Sequence, residues 1–285
     1  MHFRATEVLT LVNFLRNNLF LRVASALALL PFILFFLWKG GVWSSALFSL
    51  AAVLCMREYL HMAWGRLGIL GLACALAVAL APWLCTPGIE RPLLWTLCLL
   101  GGLYAVAWAW HLVLGPREKA PERMGHLMAA AVYIGLGVTA LAALREQSFA
   151  WVAMALVLTW ANDTCAYFAG RLVGKHKMLP AISPGKTWEG FAGGLLGSIA
   201  GAYALKLWAL PALQGWECLL LGAAAGLAGP LGDFSESALK RSFGKKDSGK
   251  LLPGHGGILD RVDALLFVAP VVWLHTVLFA IAAPG

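Results

Sequence analysis

Nine apolar runs, most of them long enough to cross a bilayer, follow one another along this chain of 285 residues. They fall at about 19–38, 41–56, 67–86, 92–114, 127–144, 150–170, 188–210, 216–234 and 262–282. A helix needs about 20 mostly apolar residues to span the hydrocarbon core. In lipid a spanning segment must also satisfy all of its own backbone hydrogen bonds. The chain is therefore expected to be all-α, a polytopic bundle of about nine transmembrane helices in a single membrane domain over 1–285. The run at 41–56 is the shortest, and a re-entrant segment is the alternative there. Composition agrees: 60% of residues are hydrophobic and 13% charged, with a mean hydropathy of +0.77, where soluble domains carry about 25% charged residues. That excludes a soluble globular protein and a disordered one.

The charges give the orientation. With the N-terminus on the cytoplasmic side, 18 of the 22 Lys and Arg fall in inside segments; an incorrect span count would scramble this alternation. The C-terminus then lies outside. The first run carries no cleavage pattern of small residues after its apolar core, so an uncleaved first span is expected. Residues 1–18 read as a short interfacial helix, with Val8, Leu9, Val12, Leu15 and Leu19 at helical spacing. The six cysteines show no C-x-x-C spacing, which argues against a disulfide framework or a zinc site. No basic stripe with interleaved aromatics occurs in a soluble segment, so nucleic acid is not expected as a partner.

The acidic groups are unevenly spread. All five Asp lie at or beyond position 163. Asp233 and Glu236 are three apart at the end of the eighth span, and Asp260 and Asp263 are three apart at the start of the ninth. Residues three apart share a helix face. An ionisable group at membrane depth is costly and should face the protein interior with a partner. Such carboxylates suit a hard cation such as Mg2+ shared with substrate phosphates. Asn162 and Asp163 on the sixth span add polar ligands from a third helix. Asp260 alone has a capping reading as well.

Lys240, Arg241, Lys245, Lys246 and Lys250 supply positive charge for a polyphosphate. Gly254, Gly256 and Gly257 lead into a helix N-terminus, where bare backbone N–H groups and the helix dipole favour an anion. A second polar loop, Ser183-Pro-Gly-Lys-Thr-Trp-Glu-Gly190, resembles a P-loop only in part, because Pro180 stands where the first glycine is required. It reads as an anion-binding turn before the seventh span, with Lys186 directed at phosphate. His255 either hydrogen-bonds phosphate or shapes the turn. His61, His111, His126 and His275 lack metal spacing and read as interfacial or solvated, and Glu58 beside Arg57 reads as a local ion pair. Gly193, Gly194, Gly197 and Gly201 read as a close-packing stripe.

The stretch from Ser237 to Asp263, S-x-L-K-R-x4-K-D-S-G-x-L-L-P-G-H-G-G-I-L-D-R-V-D, resembles the signature of the phosphatidate cytidylyltransferases. The S-P-G-K-T-W-E-G at 183–190 and G-D-x-x-E-S at 232–237 are also similar to that family. Family-like features cover about 155–275; the N-terminal half resembles it only in hydropathy. The resemblance implies a bacterial inner-membrane enzyme that joins CTP and phosphatidate into CDP-diacylglycerol and pyrophosphate. It further implies Mg2+, a second cation such as K+, a homodimer among membrane lipids, and a polar cavity open to the cytoplasm. On it, Asp233, Asp260 and Asp263 are metal-binding and catalytic. Asn162 and Asp163 join as ligands, and Lys186 acts on phosphate. Ser183, Lys186, Lys240, Arg241, Lys245, Lys246, His255, Gly256, Gly257 and Arg261 bind substrate. On this division 151–285 carries catalysis, while 1–150 is scaffold with dimer or lipid contacts. A CTP-dependent lipid kinase of the polyprenol or dolichol type is the nearest alternative, and an organic-anion transporter a more distant one. The D-x2-D-G-x2-A-R element of the CDP-alcohol phosphotransferases is absent.

Overall fold

The computed structural model describes residues 25, 27–65, 67–115, 117–251 and 256–279. Among them the chain runs through nine helices: α1 (Leu27–Lys39), α2 (Val42–Trp64), α3 (Gly68–Val78), α4 (Pro92–Val113), α5 (Ala120–Gln147), α6 (Phe149–Val173), α7 (Trp188–Trp208), α8 (Gly215–Ser242) and α9 (Leu259–Phe279). Two short strands, β1 (Lys177–Leu179) and β2 (Ser183–Thr187), form an antiparallel hairpin between α6 and α7. Eight stretches are long and apolar enough to cross a membrane, and they match eight of the nine expected runs. The first run is described only from Leu27 to Lys39; its beginning and the interfacial helix expected over 1–18 lie outside the described residues. The run at 41–56 is not re-entrant. It belongs to a helix of 23 residues whose second half carries Arg57, Glu58 and His61, which lowered its apparent hydropathy.

Strongly exposed apolar side chains such as Leu172, Leu207 and Val113 ring the bundle. Patches of this kind are tolerated where lipid covers them. α5 is the most buried span and packs against α2, α4, α6 and α9, around a core that includes Met56, Tyr59, Ile134 and Trp151. α6, α7 and α8 approach closely. A Cβ at Gly197 would fall 2.6 Å from the Ala161 carbonyl, and one at Gly226 would fall 2.8 Å from Leu195. The small-residue stripe of α7 therefore does the packing expected of it.

Prolines break two spans, and a polar side chain repairs each break. Pro82 turns the second half of the third span into a 3-10 segment, Ala81–Cys85. The Ala79 carbonyl accepts a 2.6 Å bond from the Ser49 hydroxyl, which in turn accepts from Trp83 Nε1 at 2.9 Å. Pro230 lies inside α8 and has no N–H for the carbonyl four residues earlier. That carbonyl, of Gly226, accepts from Asn162 Nδ2 at 3.2 Å, and Asn162 also reaches Ser198.

The segments expected on the cytoplasmic side meet at one end of the bundle. Lys245 Nζ donates to the His61 carbonyl at 3.4 Å, Arg123 lies over the Trp64 ring, and His126 packs against Tyr59 and Phe243. The segments expected outside meet at the other end, where Arg145 donates to the last carbonyls of α1, Leu37 and Trp38. His111 and His275 are buried rather than solvated, at 1% and 5% exposure. His275 faces Glu217 at 3.6 Å.

Candidate active site

α8 and α9 run antiparallel with almost no space between them, since a Cβ at Gly232 would fall 2.6 Å from the Asp263 carbonyl. This contact sets two levels. At the deeper one Asp233 and Asp263 are within electrostatic reach of each other, and both feel Asp163 on α6. At the shallower one Glu236 and Lys240 of α8 meet Asp260 of α9. The two i,i+3 acidic pairs therefore interlock, as one helix face against another.

The deeper level opens into a cavity of about 510 Å³ lined by Asn162, Asp163, Lys186, Thr187, Tyr167 and Asp233, among others. The β1–β2 hairpin closes one wall. Thr187 ends the hairpin and caps α7, accepting from the Gly190 N–H at 3.1 Å. Glu189 accepts from the His176 ring at 2.6 Å, tying the start of α7 back to the hairpin. Lys186 is thereby presented to the cavity, where it pairs with Asp233 at 2.5 Å and lies 4.4 Å above the Phe234 ring. Asp163 and Asp233 thus face this cavity together with Lys186 and Arg171, with Asp263 within electrostatic reach. Ser183 pairs with Leu179 in the hairpin and does not line the cavity.

Asp260 is committed elsewhere. It accepts from Lys240 Nζ at 2.6 Å, Ser248 N at 3.0 Å, Ser248 Oγ at 2.9 Å and Gly257 N at 2.8 Å. Beside it lies Glu58 of α2, only 5% exposed, which accepts from Ile258 N at 3.1 Å and Leu259 N at 2.9 Å and shares the single Ser248 hydroxyl proton with Asp260, at 3.0 Å from Oγ. The N-terminus of α9 is therefore occupied by the protein's own carboxylates. Of the two glycines expected to hold a substrate phosphate, Gly257 gives its N–H to Asp260. Gly256 has a positive φ of 87°, and a Cβ there would press on Asp260 at 2.9 Å. A Cβ at Gly257 would collide with Ser248 Oγ and Glu58 Oε2, and one at Gly249 would collide with Glu58 Oε1. The glycines admit an anion, but it is intramolecular. Glu58 is not an ion pair with Arg57 either, because neighbouring helix residues point apart. Sequence reasoning missed it, since its partners lie about 190 to 200 positions away. A lone Glu in an apolar span was the available signal.

A second cavity, about 700 Å³, is lined by Arg57, His61, Lys245, Lys246, Lys250 and the Glu58–Ser248 contact, among others. Its cations come from both halves of the chain. Lys240 spends its charge on Glu236 and Asp260, and Arg241 donates to the Lys245 carbonyl at 3.3 Å. Arg261 is exposed on the first turn of α9. His255 and Gly254 lie outside the described residues. Asn162, buried at 3% exposure, uses its amide nitrogen to repair the Pro230 break. Among the described residues no three Asp, Glu, His or Cys come together as a ready-made metal cage; Lys186 and Lys240 occupy the carboxylates instead.

A multi-span helical bundle with clustered carboxylates and a basic cavity at one membrane face is a membrane protein built to handle phosphate groups. Residues 20–279 match the model of the cytidylyltransferase family, and the chain belongs to that family. It is 36% identical over 258 residues to a protein of Staphylococcus epidermidis named phosphatidate cytidylyltransferase, covering 88% of this chain and 96% of that one. Proteins of the same name from Staphylococcus aureus and Staphylococcus saprophyticus are 33% and 32% identical over 262 residues, covering 88% of this chain and 97% of each.

Proposed function

We propose that this protein transfers the cytidylyl group of CTP to phosphatidate, giving CDP-diacylglycerol and pyrophosphate. The observation that carries the proposal is the convergence of Asp163, Asp233 and Lys186 on one cavity, with Asp263 within electrostatic reach of both carboxylates, beside a second, basic cavity, in a chain of this family. A phosphate monoester is largely dianionic at neutral pH, its second pKa being about 6. A phosphatidate oxygen therefore attacks the α-phosphorus of CTP without a general base. One P–O bond forms, the bond to the β-phosphate oxygen breaks, and the electron pair leaves on pyrophosphate. The obstacle is repulsion between two anions, and it calls for positive charge rather than a catalytic histidine. Lys186 serves the transferring phosphate. Lys245, Lys246, Lys250 and Arg57 offset the charge of the remaining phosphates.

Asp163 and Asp233 face the cavity and Asp263 lies within electrostatic reach of both, a set of hard oxygen donors that fits Mg2+ completed by waters and substrate phosphates. Asp163 and Asp233 would hold the ion together with substrate phosphates, Asp263 would add its charge from α9, and Asp260, already saturated, positions the loop and helix around them. Held there, Mg2+ would supply charge neutralisation for the phosphates. The cytoplasmic orientation of this end rests on the Lys and Arg bias. It is tested by labelling a Lys246→Cys variant with a membrane-impermeant thiol reagent from either side. The homodimer belongs to the same proposal and is tested by the detergent-corrected particle mass.

Purified protein incubated with α-labelled CTP, phosphatidate and Mg2+ should place the label in the lipid. Label in lipid only from γ-labelled CTP would replace this reading with a lipid kinase. The absence of any labelled lipid under both conditions would overturn it.

A further inference from the structure

A third cavity, about 370 Å³, lies at the same end of the bundle between α2, α3, α4 and α5. It shares no lining residue with the two cavities described above. Trp64, Leu67, Ile69, Trp110, His111 and Arg123 line it. Three of its polar atoms are buried with no hydrogen-bond partner among the described residues: Trp64 Nε1 and both ring nitrogens of His111, a residue only 1% exposed. Each buried, unmet polar group costs about 1–3 kcal/mol, and native structures normally supply a partner.

Arg123 stands beside them. Its guanidinium lies 5.8 Å from the centre of the Trp64 ring and within electrostatic reach of His111. Among the described residues it pairs with no carboxylate. The cavity therefore offers a cation, an indole N–H and an imidazole, with no acidic group on its wall among the described residues. Its volume is several times that of a water molecule, about 30 Å³. On its wall Ile69 is 77% and Trp110 36% exposed, and the same end of α4 carries the exposed Val113 and Leu114, an apolar surface suited to acyl chains rather than water. Basic pockets between spanning helices, at the depth of the phosphate layer, are places where lipid head groups dock.

We infer that this cavity binds the phosphate of an anionic phospholipid, as a site separate from the reacting centre. Arg123 and Trp64 Nε1 donate to the phosphate oxygens, His111 adds a ring N–H, and the tails lie along the apolar surface formed by α3 and α4.

Phosphatidylglycerol is a suitable probe, because the proposed reaction neither consumes nor forms it; the result is then independent of that reading. The full-length protein in mild detergent is mixed with phosphatidylglycerol, phosphatidylcholine or inorganic phosphate, and bound species are counted by native mass spectrometry. The wild type should retain phosphatidylglycerol in preference to phosphatidylcholine, and millimolar inorganic phosphate should not displace it. Arg123→Gln removes one charge-assisted contact and should weaken that retention about tenfold while leaving phosphatidylcholine binding unchanged. Trp64→Phe keeps the ring and loses only the donor, so it should weaken retention less and melt as the wild type does. Equal retention of the two lipids, or unchanged retention in both variants, would overturn the inference. Displacement by inorganic phosphate would reduce the site to one for a free ion and equally overturn the lipid assignment.

Discussion

Replacing Glu58 by alanine removes one carboxylate and strands two backbone donors, Ile258 N and Leu259 N, at 3.1 and 2.9 Å, while Ser248 Oγ keeps Asp260 as its acceptor at 2.9 Å. Hydrogen bonds to a charged acceptor contribute about 1.5–3 kcal/mol each. Against this, the variant no longer has to bury a charge, which relieves a penalty of several kcal/mol. The net loss should be about 2–4 kcal/mol, concentrated on the start of α9 and the loop bearing Ser248. Since 1.4 kcal/mol is tenfold in a population, the assembled loop becomes roughly 30- to 1000-fold rarer relative to open forms. Steady-state cytidylyl transfer should fall by about two orders of magnitude. Hydrogen exchange should rise at residues 248–259 while the amides of α5 and α6 stay protected. Glu58→Gln keeps the volume and one acceptor, so a loss of about tenfold is expected; this variant guards against outright misfolding of the alanine form. Wild-type turnover in both, with unchanged exchange at Ser248, Ile258 and Leu259, would refute the reasoning.

Asp233→Asn should abolish Mg2+-dependent transfer with little change in thermal stability, because Asp233 is partly exposed and holds only Lys186 and Ser237. Asp260→Asn should lose both activity and stability, since four donor atoms depend on that carboxylate; a melting temperature equal to that of Asp233→Asn would contradict this. Gly257→Ala should resemble Glu58→Ala, as its methyl group would displace Ser248 and Glu58, and activity together with exchange over 248–259 reads this directly. Chelation of divalent ions should stop transfer and added Mg2+ should restore it; a rate indifferent to the chelator would remove Asp163, Asp233 and Asp263 from metal binding.

Much of this arrangement was legible in residue order. Hydropathy located all eight spans that the structure describes in full, because a bilayer demands length and apolarity before anything else. Charge bias paired the ends correctly: Lys245 does meet His61, and Arg145 does meet the end of α1. The i,i+3 spacing of Asp233 with Glu236 and of Asp260 with Asp263 placed each pair on one face. The roles of particular side chains were less legible. Asn162 looked like a ligand, and its amide repairs the break at Pro230. The glycines before α9 signalled close approach to an anion, but no local pattern names which anion. Glu58 sat beside Arg57 in sequence, and its partners are on another helix altogether.

What residue order determined by itself is a membrane-spanning bundle whose acidic and basic residues gather at one face, since alternating spans leave no other arrangement. What tertiary structure alone decided is which carboxylate is spoken for. Helix rotation and close crossings at glycine set those pairings, through contacts up to about 200 residues apart. They leave Asp163 and Asp233 facing a cavity, with Asp263 near them, while Asp260 and Glu58 are saturated by backbone, hydroxyl and ammonium donors. Energies of that kind depend on ångström distances in a dry interior, and linear spacing does not encode them.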